Sequence, residues 1–155
     1  MSTWRARWSG WFGKSQKSAA ATGVVWNLRV ERERGAVGRL NDRLEQTLRP
    51  SVPDAALRSL QVALDELLTN VIMHARQASG PIELRLARSA RTLDAEISYL
   101  ADPFDPTRVK ERPRPTSIED SEIGGVGVPL VRALMDEFRH EYVDGRNVVY
   151  LRKKC

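Results

Sequence analysis

The sequence predicts an α+β fold, a two-layer sandwich with helices on one face of a mostly antiparallel sheet. Three observations lead there. Val24, Trp26, Leu28 and Val30 alternate with polar residues, as do Ile82, Leu84 and Leu86, and Leu93, Ala95, Ile97 and Tyr99, which is the period of half-buried strands. Leucines recur at helical spacing between the first and second of these runs. Near the end, Asp144-Gly145 separates two β-rich runs, a strong hairpin signal.

Taken in order, the first strand gives way to Gly35, after which Val37, Leu40, Leu44 and Leu48 predict a helix over about 36–49, stopped at Pro50. Its outer face carries Arg39, Asp42 and Arg43. Asp54 is placed to cap a longer helix that runs through Leu57, Leu60, Leu64, Leu67, Leu68, Val71 and Ile72 and ends before Gly80-Pro81. Two strands follow. The stretch 102–123 is rich in proline and charge and has almost no apolar period, which suits a lid over a site. Gly124-Gly125-Val126-Gly127 then opens a helix through Val128, Leu130, Val131, Leu134, Met135 and Phe138, with Pro129 in its first turn, before the terminal hairpin.

A chain of 155 residues, 41% hydrophobic and 29% charged, suits one compact unit with a tail, and no apolar run reaches the roughly 20 residues of a membrane span. The division expected is a flexible basic segment at 1–22 and a folded domain at 23–155 with a lid at about 105–125. Cys155 is the only cysteine, so no intrachain disulfide forms and a reducing cytoplasm is the expected home; a lipidated terminus would need three residues beyond it. Of the net charge of +5, Arg5, Arg7, Lys14 and Lys17 place +4 in residues 1–22. The remainder is nearly neutral, which argues against nucleic-acid binding by the domain. Trp4, Trp8 and Trp11, with Phe12, also lie in that segment, spaced to share one helical face. Its glycines and Ser/Ala run suit a flexible leader; the alternative is peripheral membrane contact, with the rings at the headgroup boundary.

Chemistry concentrates on the long helix. Glu66, Asn70 and His74 follow at intervals of four and share one face beside the apolar stripe of Leu67, Val71 and Ile72. Such a polar line needs satisfaction, either by capping sheet-edge groups or by a ligand. An Asn carbonyl is a hard oxygen ligand for Mg²⁺, which keeps waters and bridges nucleotide phosphates, and a Glu one turn away is placed to accept a proton from an attacking hydroxyl. The GGVG run at a loop-to-helix junction offers backbone N–H groups and the positive end of a helix dipole to phosphates.

ALDELLTNVIMHA at 63–75, PFDPT at 103–107 and IGGVGVPLVRALMDEF followed by DGRNVVYLRK resemble the anti-sigma-factor serine kinases, a branch of the ATPase superfamily of gyrase and histidine kinases. The resemblance covers about 24–153 and implies the Bergerat-type ATP-binding fold. No phospho-accepting histidine domain precedes it, so a sensor histidine kinase is not expected. It implies that Asn70 binds Mg²⁺ and that Glu66 is the general base. Gly124, Gly125 and Gly127 would close the lid on the ATP phosphates, with His74, Tyr99, Asp102, Phe104 and Val128 in the nucleotide-contacting set. It further implies a bacterial cytoplasmic homodimer that binds a sigma factor and phosphorylates a serine of an anti-sigma antagonist, with Arg39 and Arg43 as a partner surface by analogy of fold.

The pattern breaks at one place. Before PFDP the family has an aspartate at position 99, which accepts from the adenine amino group, and a glycine at 101; this chain has Tyr99 and Ala101. By strand alternation Tyr99 points the same way as Ile97, toward the pocket, to stack on adenine or fill its place. Losing one charge-assisted bond costs roughly 1.5–3 kcal/mol, ten- to a hundredfold in affinity. Two expectations follow: an ATP- and Mg²⁺-dependent serine kinase, or a nucleotide-impaired relative that binds a sigma factor or antagonist without phosphoryl transfer.

Overall fold

In the computed structural model, residues 24–110 and 127–155 are described. Five strands, β1 (Val24–Val30), β2 (Ser79–Arg88), β3 (Thr92–Leu100), β4 (Glu137–Val143) and β5 (Arg146–Lys154), form one antiparallel sheet in the order β1-β2-β3-β5-β4. Three helices accompany it: α1 (Ala36–Leu48), α2 (Asp54–His74) and α3 (Gly127–Leu134). The order along the chain is that expected from the sequence.

The register explains the two layers. Trp26, Leu86, Ala95, Leu151 and Phe138 lie opposite one another across the strands, as do Leu28, Leu84, Ile97 and Val149, so alternate residues make one apolar face. Against it α2 presents Leu57, Leu60, Leu64, Leu67, Leu68 and Val71, and α1 adds Leu40, Leu44 and Leu48, all buried. The opposite face is charged, yet Asp94 and Glu96 on β3 are buried within it.

Two boundaries differ from the sequence expectations. Asp54 does not cap α2: Pro53 holds the cap position with no side-chain cap bond, and the Asp54 carboxylate lies 3.9 Å from Arg49 and 4.0 Å from Arg58. The helix ends at His74, before Gly80 as expected, because Ala75 is already extended and Gln77 takes φ of 51°. Gly80, at φ of 68°, lies inside β2, where the pairing with β3 is irregular. Finally, α3 stops at Leu134 and Phe138 is on a strand, since the Asp136 amide already donates to Arg152 O at 2.9 Å and commits the chain to the sheet. The Asp144-Gly145 turn is as expected, both residues having positive φ, the pattern of a type I′ hairpin.

Candidate active site

Glu66, Asn70 and His74 lie along α2, the first two half-buried and His74 exposed at the end of the helix. Packing against Leu67 and Val71 sets the depth of this line: neighbouring positions are in the core, so the polar edge surfaces beside it. The start of α3 meets it there. Gly127, the first residue of α3, is buried against Glu66; a Cβ built on it would lie 1.9 Å from Glu66 Oε2 and 2.7 Å from Cδ. Only a glycine allows this approach. The fold thus joins a carboxylate and a helix N-terminus that are sixty-one residues apart in the chain. Val128 is buried behind this contact. Gly124 and Gly125, and most of the expected lid, lie outside the described residues.

The donor set suits a nucleotide-bridging cation better than a protein-caged one. Among the described residues no group of three or more His, Cys, Asp or Glu side chains is placed to hold a metal. Mg²⁺ on nucleotide phosphates needs only one or two protein oxygens, which the Asn70 carbonyl can supply.

The other half of the expected site is built differently. Tyr99 is 4% exposed and packed in the core, on the same face as Ile97. Burial pushes its phenol up to about 12, so it is neutral and carries none of an aspartate's charge. Ala101 is buried beside it. The following loop is clamped from the hairpin: fully buried Asn147 donates through Nδ2 to Asp102 O at 2.8 Å, while its Oδ1 accepts from the Phe104 amide at 2.9 Å and lies 2.9 Å from His140 Nε2. Tyr142 Oη donates to Ala101 O at 3.2 Å, and the Asp102 amide donates to Arg76 O at 2.9 Å. The Asp102 and Phe104 side chains are exposed.

Beyond the clamp, Asp105 accepts from the Thr107 amide at 2.9 Å and hydroxyl at 2.6 Å, starting a 3₁₀ turn at Pro106–Arg108. Partial burial opposes its charge, but these bonds, with nearby His140 and Arg108, hold its carboxyl below the usual range. Arg132 of α3 donates to Thr107 O at 2.6 Å, tying the entry of the expected lid to the helix at its exit. Asn147 and His140 escaped the sequence reading; the only signal was a lone Asn opening the apolar run NVVYL. Replacing Asn147 with Ala strands a carbonyl and an amide of the loop. A loss of about 2 kcal/mol in urea unfolding is expected, with faster amide exchange at Phe104.

The two arginines of the expected partner surface are exposed on α1 and face different surroundings. Arg39 pairs with Glu33, and Arg43 borders a cleft of about 220 Å³ with Trp26, Leu28 and Leu44. Trp4, Trp8 and Trp11 lie outside the described residues, among which no helix is long and apolar enough to cross a membrane.

Comparison with known proteins agrees with this architecture. Residues 30–153 match the family described as histidine kinase-like ATPase domain. Over 91 residues the chain is 31% identical to the serine/threonine-protein kinase BtrW of Bordetella bronchiseptica, covering 57% of this chain and 64% of that one. It is 31% identical over 100 residues to the serine-protein kinase RsbW of Listeria monocytogenes, covering 61% and 64%. The alignments therefore span just under two thirds of these relatives. A crystal structure of the RsbU and RsbW domains of a Mycobacterium tuberculosis protein superposes with a TM-score of 0.58 at 13% identity, over 83% of this chain and 32% of that one, a likeness of fold.

Proposed function

Starting from the fact that the chain belongs to the histidine kinase-like ATPase domain family, we propose that it is an ATP- and Mg²⁺-dependent protein-serine kinase of a partner-switching circuit, acting as a homodimer in the bacterial cytoplasm. Its partners are a sigma factor and an anti-sigma antagonist, the latter its substrate. The similarity to BtrW and RsbW, kinases by name, supports the activity. The observation that carries it is the seating of Gly127 on the Glu66 carboxylate, which sets a basic group beside a helix N-terminus.

In this reading Glu66 takes the proton of the substrate hydroxyl as its oxygen bonds the γ-phosphorus and ADP departs with the bridging oxygen. Asn70 would hold the metal, which when bound would supply neutralisation of phosphate charge. Gly127 lets the Glu66 carboxylate lie against the backbone at the start of α3, and the Asn147 clamp fixes the loop after β3 on the adenine side.

Calorimetry with Mg-ATP tests this. Binding at submillimolar Kd, weakened at least tenfold in Asn70→Ala, is the expected result for a kinase. The enclosed, uncharged Tyr99 at the aspartate position favours the second reading, a binding module without phosphoryl transfer. Absence of heat at millimolar Mg-ATP, with an antagonist or sigma factor still bound, would select it.

A further inference from the structure

The strand register sets one end of the sheet apart from the loop that Asn147 clamps. β3 runs from Thr92 to Leu100, about 27 Å, and the clamped loop follows Leu100. At the Thr92 end, Val24 opens β1 opposite Arg88, while Lys153 and Lys154 pair with Leu93 and Thr92. The start of β1, the β2–β3 turn and the last residues of β5 therefore lie together. The turn is pinned: the Ser89 amide donates to Thr92 O at 2.9 Å, and the Cys155 amide donates to Arg91 O at 2.8 Å. The acids here are already taken, Asp94 and Glu137 by Arg152 and Asp136 by Lys153. Arg88, Arg91 and Lys154 have no ion-pair partner among the described residues. The α1–α2 turn alongside is balanced, with Arg49 and Arg58 set against Glu45 and Asp54.

We propose that this end of the domain, together with residues 1–23, docks on an anionic phospholipid surface. The segment lies outside the described residues and joins β1 at Val24, at the end of the sheet that holds the three cations. It adds Arg5, Arg7, Lys14 and Lys17 with no acid, and it carries Trp4, Trp8, Trp11 and Phe12. Phe12 precedes Val24 by twelve residues, a reach of about 40 Å when extended, so the rings and the sheet end can meet one plane. The cations draw both to negative headgroups, and the indole rings, apolar with one N–H donor, take the headgroup boundary. A nucleic-acid duplex matches the charge but offers no apolar boundary for the rings, which favours lipid. Docked in this way, the domain turns the Asn147-clamped loop away from the membrane and leaves it open to protein partners.

The test is flotation of the full chain with phosphatidylcholine vesicles, plain or containing about 30% phosphatidylserine. Binding at least roughly tenfold tighter to the phosphatidylserine vesicles is expected, weakening about fivefold or more between about 0.1 and 0.5 M KCl. The combined Arg88→Gln, Arg91→Gln and Lys154→Gln variant should bind about tenfold more weakly. Arg29→Gln, Arg34→Gln and Arg76→Gln together remove the same charge from exposed positions at the opposite end and should change binding less than about twofold. Trp4→Ser, Trp8→Ser and Trp11→Ser combined should weaken it about tenfold at both salt concentrations. Equal binding to neutral vesicles, equal losses in the two charge variants, undiminished binding by the tryptophan variant, or tighter binding to a short DNA duplex than to the vesicles would overturn the assignment.

Discussion

Glu66→Gln is expected to slow phosphoryl transfer to the protein substrate by 10²- to 10⁴-fold while Mg-ATP affinity stays within about threefold. The amide keeps the shape of the carboxylate and its contact with Gly127 but has no proton affinity at neutral pH. The change therefore removes basicity and little else. Single-turnover transfer from radiolabelled ATP, paired with calorimetry, separates the two quantities. Gly127→Ala is the complementary arm: the new methyl cannot occupy the same space as Glu66 Oε2, so the carboxylate must swing away. It should lose transfer about as severely as Glu66→Gln while folding normally, because the atom displaced is the end of a flexible side chain. Near-normal transfer in both variants would remove Glu66 from the chemistry.

Glu96→Gln is expected to stabilise the protein by about 3 kcal/mol at pH 8 and hardly at all at pH 4.5, a rise of roughly 10 °C in Tm at the higher pH. Glu96 sits on the charged face of β3, 8% exposed, opposite Arg85 on β2 and Tyr150 on β5. Burial raises its carboxyl to about 7 from an ordinary 4.5; the positive charge of Arg85 opposes the shift, and the negative charges of Glu83 and Glu141 add to it. A raised carboxyl means that the folded state holds a proton the unfolded chain has already released. Stability therefore falls as pH climbs from about 4.5 to about 7, and the full penalty remains above that. Glutamine carries no such penalty. Thermal melts of both proteins from pH 4.5 to 8 should converge at the acid end; parallel curves would show that Glu96 ionises freely.

This charged face is built by tertiary pairing. Arg152 bridges Asp94 at 2.5 Å and Glu137 at 3.2 Å, and Arg146 holds Ser98 Oγ at 2.7 Å. Strand alternation alone placed Asp94, Glu96 and Ser98 on the face away from the helices. Their burial there comes from long side chains of the neighbouring strands closing over them, which no local pattern records.

Most of the architecture was legible because it rests on short-range physics. The two-residue period of β1, β2 and β3, the leucine stripes of α1 and α2, and the Asp144-Gly145 turn each express a local rule, and together they admit few packings. The misplaced boundaries fell where tertiary bonding overrode propensity. Phe138 continues the apolar period of α3, but sheet pairing of β4 claims it.

For the site, the residues on α2 were readable from their four-residue spacing, and the glycine run from its position before a helix. Their meeting was not, because the Glu66–Gly127 contact joins residues sixty-one positions apart and depends on how α3 docks on α2. Asn147 was invisible for the same reason, its partners being a loop more than forty residues upstream. Sequence alone established the α+β class, the order of its elements and the residue types able to handle phosphate and metal, since each follows from neighbours in the chain. The placement of the carboxylate under Gly127, the enclosure of Tyr99 and the burial of Glu96 were decided only by the assembled fold, because each is a property of surfaces brought together across the chain.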